Sequence, residues 1–331
     1  MKKYFLIFVT LLSAVFVLGF LVSCENSVTP PAMGKMHIFV YGNDYQYGSK
    51  FYLEDGTFVG NGKALKGTVN DALQVGLSLC ALAQKAGYDY DGTFMLGVEH
   101  KTVSDPNVTV IDSVYLGTFR EELDSLAAGV SDQDITILYF SGHGLGFDDK
   151  LEYGEDASEE TWFGFRQVRE TTGLPDLTTS VLYPLSHLLS RIENLPGTKV
   201  LLGDFCYSGG FVRPGNVSVT PGEYSGIDAA TLYNDYRKDI RESSSLFCLS
   251  AARYSELSWE PGDGGHGYFT AALLKALGWD EEKQAIVAPA AMVGNYLSLF
   301  NIANYVTAND NKSAQTPMSS GGSNDIILFS F

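Results

Sequence analysis

The chain has 331 residues, of which 45% are hydrophobic and 18% are charged. This composition is typical of a folded, enzyme-sized protein with enough apolar residues for one large core or two small ones. The formal net charge of −17 argues against nucleic acid as a partner, because neutralising phosphate requires lysine and arginine. An acidic surface favours cationic ligands only weakly, since surface acidity more often serves solubility.

The first residues have the pattern of an export signal. Two lysines precede the apolar run Tyr4–Val22, and this run ends in the residues LVSC. These four residues resemble the bacterial lipobox, whose cysteine is lipidated and becomes the new N-terminus, so we expect a lipid on Cys24. Residues 1–23 would then be a signal peptide and residues 24–35 a lipidated cysteine and tether, on the periplasmic or outer face of a bacterial membrane. A plain signal peptide and an uncleaved anchor are the alternatives.

From residue 36 onward, predicted strands alternate with predicted helices. Short apolar runs predict strands, and apolar residues at helical spacing predict helices. In chain order the pattern predicts a strand at Met36–Tyr41, a helix at Val69–Ala86, strands at Thr93–Val98 and Asn107–Val110, a helix at Leu116–Ala128, a strand from Ile135, a helix at Pro184–Leu195, strands from Lys199 and at Leu246–Ala252, helices at Gly267–Leu277 and Pro289–Val306, and a strand at Ile326–Phe331.

Two long stretches show no clean period. Phe147–Ser180 is rich in Asp, Glu, Thr and Gly, and it is interpreted as a long loop over the edge of the sheet at which a ligand would bind. Phe211–Ser245 is a second irregular stretch. Its basic residues would suit self-processing or would form a solvated turn: Arg237, Lys238 and Arg241.

The order of the predicted elements indicates an α/β fold. Strands that alternate with helices imply a parallel sheet covered by helices on both faces. The sequence contains no repeat and no clear internal linker, so residues 36–331 are expected to form one domain.

Two apolar runs end in small residues: Ile135–Gly144 (ITILYFSGHG) and Lys199–Gly210 (KVLLGDFCYSGG). Ligands of open α/β sheets bind outside the carboxyl ends of the strands, where these runs would deliver His143 and Cys206. A thiol is mostly protonated at neutral pH, so Cys206 needs a neighbour that favours the thiolate, and an imidazole provides one. The alternative is a buried core cysteine and a loop histidine. The glycines beside both residues, which let a ligand approach, favour the catalytic interpretation.

The segments TILYFSGHG and LLGDFCYSG resemble the histidine and cysteine motifs of the caspase-like cysteine peptidases, and metacaspases and their bacterial relatives more than animal caspases. Three further segments resemble that family in the same order: Leu65–Ala72, Leu249–Glu256 with Gly267–Leu277, and Ala314–Phe329. The resemblance covers most of Lys35–Phe331. It implies a three-layer α/β/α sandwich around a mostly parallel sheet of about six strands. It also implies an endopeptidase with Cys206 as nucleophile, His143 as base and acid, and the backbone N–H groups of Gly144 and Cys206 as the oxyanion hole.

Side chains of a strand alternate between its two faces, so residues two apart share a face. Asp204 is therefore expected to point with Cys206, and Ser141 with His143. In metacaspases the residues at these two positions, with the aspartate of the helix-opening segment, line a pocket for a basic side chain.

The aspartate of the helix-opening segment is Asp71 here, and Thr68 stands where metacaspases usually have cysteine. Two carboxylates that line one pocket would favour a substrate with arginine or lysine before the scissile bond, through charge-assisted hydrogen bonds. Alternatively, Asp204 caps a turn and Asp71 stabilises the start of a helix. His266, in a glycine-rich turn, is either a loop histidine or a residue that approaches this site.

Some residues depart from the family pattern. Tyr207 occupies a position that is commonly histidine in metacaspases, and Arg213 stands where calcium-dependent members carry aspartate. An acidic loop containing Asp148, Asp149 and Glu152 could bind calcium, but such loops are more often solvated, so no required metal or other cofactor is predicted. The absence of C-x-x-C and H-E-x-x-H patterns argues against a zinc site.

Three functions are consistent with the sequence. The first is an exported, lipid-anchored cysteine endopeptidase that cleaves peptides or proteins after arginine or lysine. The second is a peptidase of the same fold with asparagine or other specificity, resembling legumains or clostripain-like enzymes. The third is a surface binding lipoprotein without turnover, against which the intact Cys/His pair argues.

Overall fold

The computed structural model describes residues 34–97, 103–112, 114–146, 161–168, 175–212, 246–253, 255–262, 264–320 and 327–331. The predictions for the signal peptide, the lipid on Cys24, the acidic loop and the basic stretch near Arg237 lie outside these residues. Within the described ranges, no helix is long and apolar enough to cross a membrane.

A seven-stranded sheet forms the centre of the domain. Its strands, in spatial order, are β15 (Met318–Ser320), β11 (Leu246–Ser250), β10 (Thr198–Asp204), β6 (Ile135–Ser141), β1 (Met36–Gly42), β4 (Tyr90–Leu96) and β5 (Val108–Ile111). All neighbours pair in parallel except β15, which is antiparallel to β11. The central strands are continuous apolar runs because both of their faces are buried.

Helices cover both faces of this sheet. Helices α1 (Thr68–Ala86), α4 (Tyr268–Leu277) and α5 (Leu299–Asn309) pack on one face, and α2 (Leu116–Gly129) and α3 (Leu185–Glu193) pack on the other. Strand β6 shows how one sequence serves two cores. Its residues Ile137 and Tyr139 join the first core, whereas Leu138 and Phe140 join the second. The predicted three-layer α/β/α sandwich around a mostly parallel sheet is confirmed.

The prediction that Phe147–Ser180 is one long loop is wrong for its described part. Strands β8 (Trp162–Val168) and β9 (Pro175–Pro184) pair in antiparallel and belong to a five-stranded sheet with β2 (Ser49–Tyr52), β3 (Phe58–Gly62) and β7 (Gly144–Leu145). Phe163 and Phe165 of β8 are fully buried in the second core. This small sheet therefore sits directly beside the end of β6.

The prediction of one helix over Pro289–Val306 is also wrong at its start. The helix α5 begins only at Leu299, where the hydroxyl of Ser298 accepts a hydrogen bond from the backbone of Asn301 at 3.2 Å and so caps it. Between α4 and α5 lie the antiparallel pair β12 (Trp279–Asp280) and β13 (Ala285–Ile286), a turn, and the strand β14 (Tyr296–Ser298). The chain ends in β16 (Ile327–Ser330), which pairs with β14 and not with the central sheet.

Candidate active site

The predicted nucleophile and base follow two neighbouring strands. In the pairing of β6 with β10, Ser141 lies opposite Asp204, so the positions two residues further on, His143 and Cys206, leave the same edge of the sheet. The chains remain close beyond the strands. A side chain on Gly144 would begin 1.9 Å from the carbonyl oxygen of Cys206. The backbone that follows His143 therefore lies directly against the backbone of Cys206.

The imidazole of His143 is buried and has a defined tautomer. Its Nε2 lies 2.8 Å from the carbonyl oxygen of Lys63. Because a carbonyl only accepts hydrogen bonds, Nε2 carries the hydrogen, and Nδ1 of the neutral ring remains basic. Burial lowers the pKa of His143 to about 4, with the Lys63 carbonyl opposing this shift and the charge of Arg166 adding to it. The ring is therefore neutral at pH 7.

Aromatic rings hold this imidazole in place. Tyr45 and Phe51 pack edge-on against it, with ring centroids 4.6 and 5.3 Å away. The hydroxyl of Tyr45 donates to the carbonyl oxygen of Gly164, and the guanidinium of the buried Arg166 lies 4.4 Å from the Tyr45 ring centroid. The small sheet thus fixes the orientation of His143.

Cys206 lies in the turn between β10 and a 3-10 turn at Ser208–Val212. Its side chain is partly buried, and its thiol donates to the carbonyl oxygen of Ser258 at 3.5 Å. The next residue, Tyr207, has a φ of 60°, which is unusual for a bulky residue. Its backbone N–H donates to the carbonyl of Glu256 at 2.8 Å, which helps to hold this turn. The backbone turn that carries the thiol is thus held in a fixed conformation, as a nucleophile requires.

Two buried carboxylates lie at the ends of these same strands. The hydroxyl of Ser141 donates to Asp71 at 3.0 Å. Asp204 accepts hydrogen bonds from the hydroxyls of Ser258 at 2.7 Å and Thr270 at 2.5 Å. Burial raises the pKa of Asp71. Burial, followed by the charge of Asp71, raises the pKa of Asp204 to about 7. Asp71, Ser141 and Asp204 therefore meet in one poorly solvated cluster.

Thr68 uses its hydroxyl elsewhere. The side chain is buried at the first residue of α1, and it donates to the backbone carbonyl of Asn43, in the segment after β1. This bond ties the start of α1 to the loop that leads into the small sheet. Its predicted contact with substrate remains a prediction.

Several residues at this edge were not assigned a role from the sequence. The carbonyl of Lys63 acts through the backbone, which side-chain patterns do not reveal. Ser258 contacts both Cys206 and Asp204. His266 is indeed in a loop, but its Nδ1 lies 2.6 Å from Asp71. Its position among four glycines, ahead of α4, was the available signal.

The described residues of the candidate active site do not form a metal-binding cluster. No group of three or more His, Cys, Asp or Glu side chains in the described ranges has the arrangement to hold a metal ion. The acidic loop with Asp148, Asp149 and Glu152 is outside those ranges.

The solved structures that are similar to this chain include the following two. A crystal structure of a protein from Geobacter sulfurreducens has a TM-score of 0.47 at 13% identity, over 87% of this chain and 94% of that one. Caspase-1 from Spodoptera frugiperda has a TM-score of 0.43 at 12% identity, over 86% of this chain and 85% of that one. A search of curated proteins found no match.

The family comparison covers most of the domain. The family model described as the caspase domain matches residues 51–324, a range that includes both strands of the site and all five helices of the described chain. The chain therefore belongs to the caspase-domain family of cysteine peptidases.

Proposed function

We propose that this protein is a cysteine endopeptidase that hydrolyses peptide bonds after arginine or lysine, with Cys206 as nucleophile and His143 as base and acid. The observation that carries the proposal is the in-register pairing of β6 and β10, which brings a thiol and a neutral, buried imidazole to one sheet edge. A nucleophile beside a positioned base is the requirement for acyl transfer.

The proposed reaction begins with transfer of the thiol proton of Cys206 to Nδ1 of His143. The thiolate attacks the substrate carbonyl carbon, and the N–H groups of Gly144 and Cys206 bind the oxygen that gains negative charge. The imidazolium then protonates the leaving amine, and the peptide bond breaks to leave a thioester on Cys206. A water molecule, deprotonated by His143, hydrolyses that thioester and restores the thiol.

The tautomer of His143 supports this order of events. The Lys63 carbonyl fixes the N–H on Nε2, so the other ring nitrogen is available for the thiol proton. With a pKa of about 4, the ring is unprotonated at pH 7 but is a weak base. Proton transfer from the thiol therefore depends on the thiolate formed beside the ring, which stabilises the imidazolium. The aromatic contacts of Tyr45 and Phe51 limit rotation of the ring, which reduces the entropic cost of reaching the reactive geometry.

The specificity proposal rests on Asp71 and Asp204. Both carboxyl groups are at most 6% exposed, and the charge of Asp71 raises the pKa of Asp204. Two buried carboxyl groups that repel each other are stabilised by a cation, and a guanidinium can donate to both. A substrate with arginine or lysine before the scissile bond supplies that cation.

Export and anchoring complete the proposal. The basic start, the apolar run Tyr4–Val22 and the residues LVSC support cleavage before Cys24 and its lipidation. Mass spectrometry of the N-terminus after expression in a bacterial host tests this directly. A lipid-modified Cys24 is the expected result, and an unmodified N-terminus at Met1 or at another residue would contradict it.

The activity is tested on the full chain purified in detergent. Peptides that end in Arg, Lys, Asn, Asp or norleucine before a fluorophore are the substrates, and the Cys206→Ala protein is the matched control. We expect cleavage after Arg and Lys that disappears in the control. Cleavage after Asn alone would keep the dyad and overturn the specificity. No cleavage of any substrate would favour a binding protein.

A further inference from the structure

A short segment of the chain lies over both carboxylates of the proposed pocket. A side chain on Gly267 would begin 2.2 Å from a carboxyl oxygen of Asp204, and one on Gly67 would begin 2.6 Å from the carbonyl oxygen of Gly265. The segment from Gly264 to Gly267 is therefore packed against the start of α1 and the end of β10. The side chain that it carries to this place is His266.

The imidazole of His266 is bound at both nitrogens by carboxylates. Its Nδ1 lies 2.6 Å from Asp71, and its Nε2 lies 2.6 Å from Glu281. Carboxylates only accept hydrogen bonds, so both ring nitrogens donate and the ring is an imidazolium. Burial alone would lower the pKa of His266, but the hydrogen bonds and charges of Asp71 and Glu281 raise it to about 9.

This imidazolium is the cation that Asp71 contacts, whereas Asp204 is bonded to the hydroxyls of Ser258 and Thr270. Among the described residues, no lysine or arginine forms an ion pair with Asp71 or Asp204. The remaining carboxylate nearby, Glu260, accepts hydrogen bonds from the backbone N–H groups of Lys66 and Gly67. The positive charge that a basic substrate side chain would bring to Asp71 is therefore already supplied by His266.

We propose that His266 is a specificity-determining residue of this pocket: its imidazolium occupies the place of a substrate cation and must leave Asp71 before an arginine or lysine side chain can bind that carboxylate. This inference rests on the proposed function and deepens it. The two carboxylate partners of His266 differ in exposure, with side-chain values of 3% for Asp71 and 42% for Glu281. Glu281 can keep the displaced ring in a more solvated position, where a charged group costs less.

The consequence is that the pocket selects cationic substrate side chains over apolar ones. A substrate that brings a full cation replaces the imidazolium with an equal charge, so the buried carboxylates stay compensated. A substrate with an apolar side chain offers no such replacement and leaves His266 in place. Removal of the imidazolium should therefore strengthen the binding of arginine and leave that of an apolar side chain unchanged.

Binding is measured without turnover, in the Cys206→Ala protein. Calorimetry compares N-acetylarginine amide with N-acetylnorleucine amide, in this background and with His266→Asn added. The asparagine keeps a side-chain donor for Asp71 but removes the charge. We expect the arginine amide to bind about tenfold more tightly once that charge is absent, since a hydrogen bond to a charged group carries about that difference. His187→Asn, on the exposed face of α3, is the control and should have no effect.

The possible results separate this inference from the proposed function. Equal affinity of both proteins for the arginine amide would overturn the role of His266 while the acidic pocket stands. Absence of arginine binding in both proteins, together with no cleavage after Arg or Lys, would overturn the pocket and the inference together. Thermal unfolding of each protein shows whether it is folded, and His266→Gln repeats the test with a longer neutral side chain.

Discussion

The substitution Gly144→Ala tests the proposed oxyanion hole most directly. An added methyl group would lie 1.9 Å from the carbonyl oxygen of Cys206 and 2.6 Å from the ring of Phe205. Real contacts of this kind stay beyond 3.0 Å, so the two backbones must separate by about 1 Å. The N–H groups proposed to bind the substrate oxygen would move with them.

A misplacement of this size has a large effect on rate. A shift of about 1 Å in a reacting group costs ~100-fold, and the loss of one oxyanion donor costs ~100-fold to ~1000-fold. We therefore expect kcat/KM for an arginine peptide to fall by at least about 100-fold in Gly144→Ala. The overpacking should also cost about 1–3 kcal/mol of unfolding free energy, which leaves a protein of ordinary stability folded.

The assay measures kcat/KM at a temperature below the unfolding transition, which is determined for each variant. Gly129→Ala is the matched control, because it is the same substitution at the last residue of α2, where no atom lies within 4 Å of the new methyl group. A Gly144→Ala enzyme with kcat/KM within threefold of the wild type would refute the close approach of the two backbones as a requirement for catalysis.

Three further changes have defined outcomes. Asp71→Asn should raise KM for an arginine peptide about tenfold but leave KM for a norleucine peptide unchanged, whereas Asp55→Asn, at an exposed turn, should change neither. Because the pKa of Asp204 is about 7, its carboxylate is lost as the pH falls through that value, so KM for the arginine peptide should rise from pH 8 to pH 6, and a pH-independent KM would contradict this. The hydrogen bond to Asp91 raises the pKa of His37 above 6.5, so its stabilisation is complete below that pH and is lost as the pH rises through the folded-state value. His37→Gln should therefore lower the urea midpoint more at pH 5 than at pH 9.

The sequence predicts the central sheet well because its strands are buried on both faces. Such strands are continuous apolar runs, and those that carry His143 and Cys206 end in glycine-rich turns that mark the ligand edge. Parallel neighbours also share a register, so Ser141 and Asp204 could be placed with the dyad from strand alternation alone. Asp71 joins this cluster only through the resemblance to metacaspases, because strand alternation does not relate the start of a helix to these strands.

The small sheet could not be predicted by the same rules. Three of its five strands have five residues or fewer, β8 contains Gly164, and the first half of β9 is mostly polar. The alternation of a buried face is limited to Phe163 and Phe165 in β8 and to Val181 and Tyr183 in β9. β8 pairs with its neighbours in the chain, β7 and β9, but β9 also pairs with β2 from a distant part of the chain, so the sheet is complete only when distant segments meet. The Lys63 carbonyl that fixes His143 follows β3 of that sheet, and a backbone contact of this kind has no sequence pattern.

The described histidines show why residue type alone does not assign a role. His37 lies between Asp91 and Asp134 at the amino end of β1, away from the ligand edge, so its raised pKa contributes to stability. His143 is buried among aromatic rings, and this burial keeps it neutral, while its carbonyl partner fixes the hydrogen on Nε2. His266 resembles His37 in its two carboxylate partners, but it lies at the ligand edge. An ion pair that would be structural at one end of the sheet therefore competes with substrate at the other.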